Sequence, residues 1–121
     1  MLKEPLFKIL SLHHEENAIN VALEIDQHHI IFEGHFPDQP VVPGASMLQL
    51  VKEILEKALG APLRLKKADN IKFLSLIEPG TNQQLQLHIN YQVVESDIKI
   101  NANLTAGDVI CMKLRGIFIT A

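Results

Sequence analysis

The sequence predicts an α+β fold in which an antiparallel sheet wraps around one central helix. Three observations carry the expectation. One segment has strong helical periodicity. Several others alternate apolar and polar residues with period two. The links between them are of hairpin length.

Residues 6–12 and 18–25 are expected to be strands. In the second, Ile19, Val21, Leu23 and Ile25 face one way and Asn20 and Glu24 the other, and the polar HHEEN between the two strands reads as their turn. GHFPDQPVVPG, residues 34–44, carries three prolines and two glycines. It cannot be regular structure, yet each Pro fixes its own φ and gives the segment a defined shape. Residues 45–59 form the helix: Met47, Leu50, Val51, Ile54, Leu55 and Ala58 make one apolar stripe. Gly60 suits the position after its end, and Pro62 blocks continuation. Glu53 and Lys57 lie one turn apart in the favourable order on the outer face.

Four further strands are expected at about 63–76, 82–95, 97–105 and 108–120, with EPGT, ESD and AGD as turns. Leu85, Leu87, Ile89, Tyr91 and Val93 alternate with polar residues, as do Ile98, Ile100, Ala102 and Leu104, so this sheet has one buried and one wet face. In the last strand Ile110, Met112, Leu114 and Phe118 are expected on the inner side, with Ile117 and Ile119 opposite. One helix cannot cover so long a sheet. The edge strands and the leftover apolar surface predict a dimer.

The 121 residues suit a single domain, 1–121, and no repeat or linker interrupts it. A net charge of −3 argues against general nucleic-acid binding. No apolar run is long enough to span a membrane, and the first ten residues, MLKEPLFKIL, do not read as a signal peptide. The lone Cys111 rules out a disulfide within the chain, and a cytoplasmic location is the default expectation. Cys111 sits in an apolar strand and reads as a packing residue. The pairs His13-His14 and His28-His29 do not suggest a metal site, because adjacent strand residues point to opposite faces. No cofactor is expected.

The chemistry concentrates between Glu33 and Glu53. His35 sits at the rim of a rigid turn, where side chains face clefts. Pro43-Gly44 runs straight into the helix, whose start offers unpaired N–H groups and the positive end of the dipole. Together these could hold a thioester carbonyl whose oxygen turns negative, while His35 moves a proton.

GHFPDQPVVPGASMLQ, residues 34–49, resembles the signature of the FabZ/FabA family of 3-hydroxyacyl-[acyl-carrier-protein] dehydratases, which have the hotdog fold. NIKFLSLIEPGT, residues 70–81, resembles the family's strand and turn downstream, and with the strand order the resemblance spans nearly the whole chain. It implies that His35 is the catalytic histidine, taking the C2 proton, and that the Gly44 amide polarises the thioester carbonyl. It implies a lyase reaction without cofactor, from a 3-hydroxyacyl thioester to the trans-2-enoyl thioester, in fatty-acid or related acyl or polyene synthesis. At Gln49 the sequence departs from the family, which has Glu or Asp there. Gln can position a hydroxyl or a water but is no useful general acid. Glu53, one turn on, is the candidate substitute acid. Phe36, Pro43, Met47, Leu48 and Phe73 are candidates for lining the acyl path. Arg64, Lys66, Lys67 and Lys72 form the main basic cluster, either a docking patch for an acidic acyl carrier protein or a solvated strand face.

The resemblance also implies that the histidine and the acidic residue of one pocket come from different protomers. The expected assembly is therefore a homodimer or higher even oligomer, or a heterodimer with a catalytically complete homologue. Two other readings stand beside the dehydratase: a catalytically silent hotdog subunit that binds acyl carrier protein or pairs with an active homologue, and a hotdog acyl thioesterase.

Overall fold

The computed structural model describes residues 6–26, 28, 42–78 and 84–121. His35 and Phe36, with the rest of the segment 29–41, lie outside the described residues. The elements are β1 (Phe7–Glu15), β2 (Ala18–Ile25), α1 (Gly44–Leu59), β3 (Leu63–Phe73), β4 (Gln84–Val94), β5 (Asp97–Ala106) and β6 (Val109–Thr120). The six strands form one sheet in the order β1-β2-β4-β5-β6-β3, and every pairing is antiparallel. The chain leaves β2, forms the helix, and places β3 at the far edge against β6. Among the described residues, no helix is long and apolar enough to cross a membrane.

The helix buries the predicted stripe. Met47, Leu50, Val51, Ile54 and Leu55 are all at most 4% exposed, and Ala58 packs at the margin of the core. They meet the inward residues of the sheet, among them Leu23, Leu87, Ile89, Leu104 and Met112. Each such side chain contributes about 1.5–3 kcal/mol by leaving water. Gly60 ends the helix in the left-handed conformation, and its N–H donates to the Glu56 carbonyl.

Three details differ from the expectation. First, β1 runs through His13, His14 and Glu15, which pair with Asn20, Ile19 and Ala18, so the turn is only Glu16-Asn17. Polar residues extend this strand because its outer face is wet and, among the described residues, its far edge is unpaired. Glu16 takes φ 52°, an unusual conformation for a residue with a side chain. The Tyr91 hydroxyl donates to the Glu16 carbonyl at 3.2 Å, and the Tyr91 N–H donates to the Asn17 carbonyl at 3.0 Å, tying the turn to β4. His14 Nε2 is hydrogen-bonded to the same hydroxyl at 2.7 Å.

Second, β3 stops at Phe73 instead of residue 76. The Leu74 and Ser75 N–H groups both turn to the Cys111 carbonyl, and the ladder ends there. Third, Cys111 is an extra residue in the pairing of β6 with β5, since Leu104 faces Met112 and Thr105 faces Ile110. This bulge breaks the predicted alternation. Ile110 is pushed to 37% exposure, while Cys111 and Met112 are both buried. Tyr91 is half-buried and Val93 exposed, because the inward row of β4 outruns the core.

β3 has two bulges of its own, at Lys66 and Asp69, which curl it over β6. A Cβ at Gly116 would lie 2.6 Å from the Lys67 carbonyl oxygen. Backbone stands in the way, so Gly116→Ala is expected to lower unfolding stability by about 1–3 kcal/mol in denaturant titration. A loss below about 0.5 kcal/mol would show that β3 does not sit this close.

Candidate functional site

The helix begins without a side-chain cap. Pro43 holds the N-cap position at φ −65° and ψ 146°, and its carbonyl accepts from the Ser46 and Met47 N–H groups at 3.1 and 3.4 Å. The first turn carries no acidic residue. The Gly44 and Ala45 N–H groups have no partner among the described residues. Among the described residues, the positive end of the helix is therefore uncompensated where a carbonyl oxygen could accept from it.

Two strands of backbone converge here. The Val42 N–H donates to the Ile77 carbonyl at 2.9 Å, fastening the approach to the helix against the segment that follows β3. That contact brings Phe73 over the helix start. A Cβ on Gly44 would lie 2.8 Å from Phe73 Cζ and 3.1 Å from Cε1. The ring rests on the bare Cα of Gly44 while 52% of Phe73 remains exposed. Glycine is needed for this approach, whatever its role toward a ligand.

The remaining predicted residues are spread more widely. Leu48 packs half-buried at the core margin, and Met47 lies within the core at 3% exposure. Gln49 and Glu53 are exposed on the side of α1 away from the buried stripe. The Gln49 amide donates from Nε2 to Glu53 Oε1 at 3.2 Å. Glu53 is thus engaged by Gln49 on its own helix. This protomer's sheet lies behind the helix, on the side opposite Gln49. Arg64, Lys67 and Lys72 project from the outer face of β3, where they pair in register with Ile119, Ile117 and Lys113. Lys66 is the bulge residue and reaches Asp97 at 2.9 Å. The structure brings together Gly44, Pro43 and Phe73, and separately Gln49 and Glu53.

Two histidines within the described residues, His14 and His88, have side-chain partners. His14 stacks tilted against Tyr91, and His88 Nδ1 is hydrogen-bonded to Asn20 Oδ1. Cys111 is 1% exposed, and burial pushes its thiol above the ordinary range. Sequence reasoning missed two cations on β6, Lys113 and Arg115, which complete the basic face begun on β3. Their alternation with Met112, Leu114 and Gly116 was the available signal.

Comparison with known proteins places these features in context. The model of the ApeI dehydratase family, ApeI-like, matches residues 11–109. An uncharacterised thioester dehydrase from Halalkalibacterium halodurans is 27% identical over 118 residues, covering 85% of this chain and 76% of its own. The 3-hydroxyacyl-[acyl-carrier-protein] dehydratase FabZ of Rickettsia canadensis is 32% identical over 88 residues, covering 62% of each chain. The chain thus spans between three fifths and about three quarters of these relatives' length. Among solved structures, a chain of the dehydratase heterocomplex ApeI:P from Xenorhabdus doucetiae superposes with a TM-score of 0.75 at 19% identity, over 93% of this chain and 96% of its own. That likeness shows the fold: one helix on a six-stranded antiparallel sheet, the hotdog fold.

Two outcomes test the local geometry. Gly44→Ala is expected to disturb Phe73, and its stability penalty should vanish in a Phe73→Ala background. An additive double-mutant cycle would contradict the contact. Cys111 should resist iodoacetamide in the native protein and react when the chain is unfolded in urea. Because folding holds the thiol protonated to higher pH, its contribution to stability is intact below the ordinary thiol range and declines as pH rises through it.

Proposed function

The chain belongs to the ApeI-like dehydratase family, and from that premise we propose that it removes water from a 3-hydroxyacyl thioester, carried by an acyl carrier protein, to give the trans-2-enoyl thioester. The observation that supports this most is the bare helix start at Gly44 beneath the Phe73 ring. In this reading the Gly44 N–H donates to the thioester carbonyl oxygen as negative charge gathers there. His35, assigned from its motif, takes the C2 proton. The C2–C3 double bond forms as the C3–O bond breaks, and the departing hydroxyl leaves as water with a proton.

The source of that last proton is particular to this chain. An amide at position 49 does not supply it, so His35 returns the proton that it took. Gln49 then acts as an acceptor that orients the hydroxyl. The amide end faces Glu53, and an ionised carboxylate can only accept, so the carbonyl Oε1 is the end turned outward. Phe73, Leu48, Pro43 and Phe36 are the proposed walls of the acyl path, with Met47 supporting them from the core.

The working unit in this reading is a dimer. Gln49 faces away from its own sheet. β3 pairs on one side only among the described residues, and it carries or adjoins the exposed Leu65, Phe73, Leu74 and Leu76. An open strand edge with such a row invites a second chain.

One observation favours a second reading. With Gln49 in the acidic position and Glu53 bound to it, the chain can be the silent partner of an active homologue. The Xenorhabdus doucetiae neighbour is itself part of a dehydratase heterocomplex.

Turnover of 3-hydroxyacyl carrier protein, followed in both directions, separates the two. Wild-type protein is expected to form enoyl thioester, and His35→Ala to lose about 10²- to 10⁴-fold in rate. A silent wild type that gains activity as Gln49→Glu would overturn the first reading in favour of the second.

A further inference from the structure

Cations gather on the outer face of the sheet, the face turned away from the helix. The register places Lys113 of β6 directly opposite Lys72 of β3. Arg115 stands between Asn70 of β3 and Asn101 of β5. Lys99 of β5 lies opposite Ile117 of β6, which faces Lys67 on its other side. Like charges directly opposite one another destabilise a sheet, and this one keeps such a pair in a chain whose net charge is −3.

The acidic groups nearby are already used. Asp69 pairs with Lys67 at 3.2 Å, and Asp97 with Lys66 at 2.9 Å. Lys72, Lys99, Lys113 and Arg115 have no ion-pair partner among the described residues. They border two adjoining depressions of about 580 and 260 Å³ that share Asn101 and Arg115. The result is a shallow groove with four unpaired cations, lined by carboxamides that can donate as well as accept.

We propose that this groove on β5, β6 and β3 is the docking surface for an acidic protein, the acyl carrier protein that presents the thioester. The inference rests on the carrier-linked reading of the function and adds the surface that recognises the carrier. Its core is Lys72, Lys113, Arg115 and Lys99. The sequence cluster of Arg64, Lys66, Lys67 and Lys72 is redistributed: Lys66 and Lys67 are neutralised within the chain, and two cations of β6 take their place.

Three observations select this partner. The cations complement an acidic surface, and their spacing along three strands suits an extended face better than a single small anion. A nucleic acid would want bases stacked on aromatic rings, whereas Tyr91, the aromatic residue bordering the groove, has its ring against His14 and its hydroxyl on Glu16. The groove also reaches the end of β3 that carries the proposed site, on the opposite face of the strand: Lys72 faces outward and the next residue, Phe73, covers Gly44 on the inner side.

Binding of fluorescently labelled acyl carrier protein to the full chain, measured by anisotropy, tests this without requiring turnover. The double variant Lys113→Glu/Arg115→Glu is expected to raise Kd at least tenfold. Wild-type binding should weaken as salt rises from low to physiological strength. Lys57→Glu, on the last turn of the helix and outside the groove, serves as the control, and thermal melts establish that each variant is folded. Unchanged affinity in the folded double variant would overturn the proposal. So would tighter binding of an RNA oligonucleotide than of the carrier, or loss of self-association in the double variant. Turnover of a carrier-free pantetheine thioester separates the two levels. Activity there with no carrier binding defeats the docking surface alone. Groove-dependent binding with no turnover defeats the dehydratase reading and leaves the surface standing.

Discussion

The structure depends on one burial problem. A single amphipathic helix must hide Met47, Leu50, Val51, Ile54 and Leu55, and the inner face of a six-stranded sheet is what covers them. Once the stripe is pinned there, the rest of the helix has a fixed address. Its N-terminus emerges beside the end of β3, where Phe73 closes over Gly44. Its opposite side, with Gln49 and Glu53, is turned away from the sheet and exposed among the described residues. The outer face of the sheet is left to polar and charged residues. The proposed oxyanion donor, the outward amide and the basic groove are consequences of the same packing.

The helix start is where stability and chemistry part company. An Asp or Ser cap would satisfy the amides that have no partner among the described residues and typically adds about 1 kcal/mol. This chain has Pro43 there instead, with no acidic residue in the first turn. A vacancy of this kind is costly for the folded state and useful for a ligand oxygen. Gly44 fits the same logic, since any side chain would meet the Phe73 ring. Position 49 shows the opposite tendency. Its amide is anchored to Glu53 on the surface of the helix.

The sequence made the fold legible where periodicity is strong. The helix stripe, the alternation of β2, β4 and β5 and the left-handed Gly60 are all legible in the residues alone. The failures have physical causes. Bulges at Lys66, Asp69 and Cys111 leave no local mark, so Ile110 was expected in the inward row of β6 and lies outside it. His13 to Glu15 looked like a turn because an edge strand with a wet face can be polar throughout. Of the site, the helix start was legible because proline and glycine before an apolar run have one main meaning. The contact of Gly44 with Phe73 was not, since 29 residues separate them in the chain and their neighbourhoods meet through tertiary contacts such as the hydrogen bond from Val42 to Ile77. The basic face needed the register of β6 on β3 to become visible.

The family places this chain among dehydratases, and its own residues raise the question of whether the thioester survives the reaction. The most direct measurement is mass analysis of a purified 3-hydroxyacyl thioester after incubation with the protein, with free thiol titrated in parallel. The account predicts a product lighter by one water, still attached through sulfur, with no thiol released. An intact 3-hydroxy acid appearing with equimolar free thiol would contradict it and make the same helix start a hydrolytic site.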